Sequence, residues 1–195
     1  MRTIQIIALT IGILTATSSY GQRKVYSIIP PPGFERVETD AYGTFMRSLP
    51  LKRAGTPVKL YDGRIKGYQD GAYSVIDMEI GTQDLQQCAD AVMRLRAEYL
   101  WHSKQYNKIH FNFTNGMRVD YSKWAQGYRI RVSGNNTSWY KSTSEDYSYQ
   151  TFRKYMDQIF MYAGTASLSQ ELVPVSADDI KIGDIFIVGM DHPAG

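Results

Sequence analysis

Hydrophobic positions recur along this chain in two rhythms. Leu85, Cys88, Val92, Leu95 and Tyr99 fall at steps of three and four, while Arg94, Arg96 and Glu98 lie mainly off that stripe. The period is helical and predicts a helix from 84 to about 101 with one buried stripe. Asp84 is a suitable N-cap, and Gln87 stands three residues on, as a capping box asks. Tyr149, Phe152, Tyr155, Met156, Ile159, Phe160 and Ala163 predict a second long helix over 147–163, stopped by Gly164. Tyr42, Phe45, Met46 and Leu49 predict a short one ending before Pro50. The other rhythm is strict alternation. It predicts strands over 109–113 and 128–132, with a better-than-brief candidate at 73–80 and a brief one at 58–61 closed by Asp62-Gly63. Ile185-Phe186-Ile187-Val188, after a Gly183-Asp184 turn, reads as an apolar strand of a sheet interior. These elements predict an α+β fold: a mostly antiparallel sheet packed against two main helices.

The first 21 residues change the picture. Arg2 is followed by an uncharged, mostly apolar run from Ile4 to Ala16, and Ser19-Tyr20-Gly21 offers small residues at a cleavage site. These are the parts of a secretory signal peptide. Gln5, Thr10 and Thr15 break the run, and a bilayer span needs about 20 apolar residues. The expectation is a cleaved signal over 1–21, no transmembrane segment afterwards, and a single domain over 22–195 in the periplasm or cell envelope. Loss of Arg2 takes the formal charge from +3 to +2. That is too weak a balance to point to nucleic acid or an anionic membrane.

One cysteine is present, so no intrachain disulfide can form. A leftover cysteine in an exported chain suggests a partner-linked or free reactive thiol. Cys88 falls in the first turns of the predicted helix, where partial positive charge favours a thiolate. Its place on the apolar stripe argues instead for simple burial, cysteine being among the most buried residue types. Three histidines could serve as its base. His102 is 14 residues along the same helix, about 21 Å away, and cannot reach. His110 lies on the polar face of a strand. His192, in Asp191-His192-Pro193, is best placed by chain order. The histidines and cysteine have no metal-ligand spacing, no phosphate-cradling glycine motif is present, and no cofactor is implied. Fifteen tyrosines with Trp124, Trp139 and Tyr140 suggest half-buried sheet residues or an aromatic surface for glycan or peptide.

Several segments together resemble a known family. They are Pro31-Pro32-Gly33-Phe34, Leu49-Pro50-Leu51-Lys52, Leu60-Tyr61-Asp62-Gly63, the run from Asp84 to Tyr99, and Tyr162-Ala163-Gly164-Thr165. They resemble domain of unknown function 4846, a family of exported bacterial proteins. That resemblance implies a continuation past Gly183-Asp184-Ile185-Phe186-Ile187 with a Pro-Gly-His-Ala element opening another strand, so the domain reads as C-terminally incomplete. The order of a helix-borne cysteine, a Gly-Asp turn with an apolar strand, then a histidine is similar to papain-like cysteine hydrolases of the NlpC/P60 type. This implies a catalytic pair of Cys88 and His192 acting on peptide or amide bonds of a cell-wall peptide. The alternatives are a non-catalytic envelope protein that binds glycan or peptide, and an inactive truncated relative.

Overall fold

The computed structural model describes residues 22–188. The signal segment and His192 lie outside the described residues. Within them the chain forms helices α1 (Ala41–Ser48), α2 (Cys88–His102), α3 (Tyr121–Ala125), α4 (Tyr149–Tyr162) and α5 (Thr165–Glu171). The strands are β1 (His110–Asn112), β2 (Arg118–Asp120), β3 (Tyr128–Ser133) and β4 (Asn136–Lys141). The fold is α+β. The strands make two separate antiparallel hairpins, β1–β2 and β3–β4, where one larger sheet was expected.

Local chemistry explains most of the boundaries. Asp40 caps α1, its carboxylate accepting from the Gly43 N–H at 2.8 Å, and Ser48 is the last helical residue before Leu49 and Pro50. Ser148 caps α4 by accepting from the Thr151 N–H. The start of α2 differs from expectation. Gln87 is its N-cap, and Asp90 reaches back to accept the Gln87 N–H at 3.0 Å. The capping box therefore sits three residues later than Asp84, which lies in an exposed turn.

The buried face of α2 is also rotated. Met93, Ala97 and Leu100 are its buried apolar residues, joined by Asp90, Arg94 and Glu98. The expected stripe of Val92, Leu95 and Tyr99 is only half-buried, and Cys88 is exposed. Arginine and glutamate at core-facing positions hide this face from a hydrophobicity pattern.

The core gathers between α2, the β1–β2 hairpin, α3 and α4. Phe113, Val119, Tyr121, Trp124, Phe152, Tyr155, Met156 and Ile159 belong to it. Trp124 is 4% exposed and donates its indole N–H to the Thr151 carbonyl. It is not part of an aromatic surface. Gly127 joins α3 to β3 with φ of +91°, and its carbonyl accepts from both Ser142 and Thr143. A side chain there would strike the Thr143 carbonyl, so only glycine fits.

Three predicted strands are absent. Residues 58–61 and 73–80 contribute only the isolated bridges Lys59↔Ile65 and Leu51↔Ile76. The 185–188 segment has no regular secondary structure and no partner strand among the described residues, and Phe186 is 95% exposed. Apolar alternation without a neighbour to pair with does not make a strand.

Candidate functional site

Two cavities flank α1 where it meets α2. The larger is a groove of about 820 Å³ bounded by Tyr42 of α1, Val92 and Arg96 of α2, His110 of β1, Glu171 of α5, and the segment 180–187. Its shape follows from that last segment. Ile185 and Ile187 pack on the edge of the core, and Gly183, with φ of +107°, lets the chain pass against the Tyr42 ring. The Arg96 guanidinium lies 5.0 Å from the Tyr42 ring centre and 5.4 Å from that of Tyr99. Stacking on two rings fixes a side chain that would otherwise be freely mobile.

The smaller cavity, about 280 Å³, is also lined from α1 and α2. Phe45, Ser48, Asp77, Glu79, Glu98, His102 and Tyr149 line it. Glu98, on its lining, belongs to a buried ion pair. Arg94 Nε donates to Glu98 Oε1 at 2.6 Å, and the two side chains are 1% and 3% exposed. The Tyr149 hydroxyl donates to the same oxygen at 2.8 Å and accepts from Arg94 Nη2 at 3.1 Å. Burial, and secondarily the bond to Glu98, push the Tyr149 phenol above its ordinary value. Glu98 Oε2 lies 3.4 Å from His102 Nε2. The arrangement can orient an imidazole on the last turn of α2. It also ties α2 to α4. Among the described residues, no group of His, Cys, Asp and Glu converges in a way that could hold a metal ion.

Cys88 is the first residue of α2, exposed, and lines neither cavity. Of the described histidines, His102 faces Glu98 and the ring of His110 lies 3.2 Å from the Lys108 carbonyl. Neither hydrogen-bonds to the Cys88 sulfur. Cys88 nevertheless belongs to an i, i+4 row whose next two members, Val92 and Arg96, both line the groove. Sequence reasoning passed over Arg94, Arg96, Glu98 and Tyr149 as site residues. The signal was present: Arg94, Glu98 and His102 are spaced at i, i+4, which puts opposite charges on one helix face.

An α+β domain with a groove beside a helix that begins with an exposed thiol is the class of protein the fold defines. Residues 25–193 match the model of a domain of unknown function (4846), and the chain belongs to that family. No curated protein and no solved structure matches it. No helix among the described residues is long and apolar enough to cross a membrane.

Proposed function

We propose that this protein is an exported cell-envelope hydrolase of the cysteine type, with a papain-like arrangement in which Cys88 is the nucleophile and His192 the base. The observation that carries the reading is the position of Cys88: exposed, first in a 15-residue helix, and heading the row that runs through Val92 and Arg96 into the groove. The groove's other wall is the segment 180–187, which precedes His192 in the sequence by a few residues. In this reaction the Cys88 sulfur attacks the amide carbonyl carbon of a peptide or related substrate. An S–C bond forms, the C–N bond breaks, and imidazolium gives its proton to the leaving amine. Water then attacks the thioester, imidazole takes a proton from it, and the acid leaves with the thiol restored.

The test is alkylation of the folded 195-residue chain by iodoacetamide at pH 7, followed by mass spectrometry. Cys88 should react roughly tenfold faster than a small free thiol. A thiol that reacts no faster than that, or only after unfolding, defeats the reading.

A second reading, a binding protein without catalysis, is favoured by one observation: the groove is complete without Cys88. On that reading Cys88→Ser leaves ligand binding unchanged. The aromatic surface on β4 is a weaker candidate for the binding face. Lys123 covers the Trp139 ring at 5.0 Å and Arg131 the Tyr140 ring at 5.2 Å.

A further inference from the structure

The charges around the groove are unequally committed. Each of its carboxylates accepts one backbone N–H: Asp40 from Gly43, Asp184 from Lys181, and Glu171 from Asn112 at 2.7 Å. Arg96 has no carboxylate within 4.0 Å among the described residues, yet its guanidinium is held in place by Tyr42 and Tyr99. A stacked arginine keeps its N–H edge available, and that planar fork matches a carboxylate in a two-point contact. Burial also places Tyr42 partly out of water, so the contact would form in a medium less screening than bulk solvent.

We infer that Arg96 is a specificity residue that binds a carboxylate of the groove's ligand. The inference rests on the groove being the substrate site proposed above and narrows its substrate to acidic peptides or amides. Helix geometry adds a distance. Arg96 lies eight residues along α2 from Cys88, which is about 12 Å at 1.5 Å per residue. An extended peptide covers that in three to four residues, at about 3.3 Å each. The ligand's carboxylate therefore stands about three to four residues from the bond presented to Cys88.

The experiment uses the full-length Cys88→Ala protein, so that binding is read without turnover. The probes are two peptides, acetyl-Ala-Ala-Ala-Glu amide and the same peptide with Gln in place of Glu, titrated by calorimetry. The acid should bind roughly tenfold more tightly than its carboxamide, the difference expected of one charge-assisted contact. Arg96→Gln should remove the difference, and Arg96→Lys should keep part of it. Circular dichroism of each variant confirms that it is folded, since Arg96 is exposed and its loss leaves the core intact. Equal affinity for the two probes, a preference that survives Arg96→Gln, or no binding of either overturns the inference. The two proposals fail separately. A fast-reacting Cys88 without acid preference leaves the hydrolase and removes the role of Arg96. Acid preference beside an inert Cys88 does the reverse.

Discussion

Arg94 and Glu98 are both excluded from water, and each satisfies the other. Removing one partner from such a pair leaves a buried charge without compensation, which costs about 3–5 kcal/mol. Glu98→Ala should therefore lower the urea-unfolding free energy by about 3 kcal/mol or more. The double variant Arg94→Met with Glu98→Leu should recover most of that loss, because apolar side chains of similar size fill the space without a desolvation penalty. If the pair serves only to join α2 to α4, the double variant keeps every activity of the protein. If Glu98 also orients His102, ligand binding or turnover falls while stability recovers. The separation of the two readouts distinguishes an anchoring role from a functional one.

At the scale of elements, the start of α2 decides where Cys88 stands. Asp90 holds the Gln87 N–H, and burial pushes its carboxyl above the ordinary range against the lowering effect of that bond. Asp90→Ala should cost about 1 kcal/mol in thermal or urea unfolding, and Asp84→Ala less than about 0.5 kcal/mol. The reverse order would restore the cap to Asp84. The same region shows what the sequence made legible. Both long helices were visible, because their apolar and polar residues alternate at helical spacing, and so were the cores of β1 and β3. The phase of α2 was not, because Arg94 and Glu98 point inward as a mutually neutralising pair and read as solvent-facing residues. Strand β4, Asn136–Lys141, was missed because Gly134-Asn135-Asn136-Thr137 reads as a loop, although Thr137, Trp139 and Tyr140 favour a strand. It exists through its six-position register with β3. Helix α5 was missed because its only strongly apolar residue is Leu168. Of the site, Cys88 could be singled out by type alone, but its exposure and the row leading into the groove needed the start of α2 to be placed.

At the scale of the whole molecule, the core is unusually phenolic. Burial pushes the Tyr121 phenol up to about 12 and that of Tyr155 well above its ordinary value. An unfolded tyrosine loses its proton near pH 10. Between about pH 10 and 12 the folded state thus holds protons the unfolded state has released, so stability falls as pH rises through that window. Below about pH 10 the contribution is fully present. Unfolding midpoints in urea should be flat in this respect up to about pH 9.5 and decline above it, and Tyr121→Phe should soften the decline. The core's location has another consequence. Every residue of its main cluster lies between Met93 and Leu168, whereas the described chain before α2 adds only Leu49 and Leu51 to the buried apolar set and carries, besides α1, only a 3-10 turn at Val25–Ser27 and isolated bridges. The molecule should not open all at once. Under native conditions a protease should nick the exposed turns near Gly63 or Gly71 first, leaving a resistant fragment of about residues 88–171, and amide protons on either side of that boundary should exchange on separate timescales.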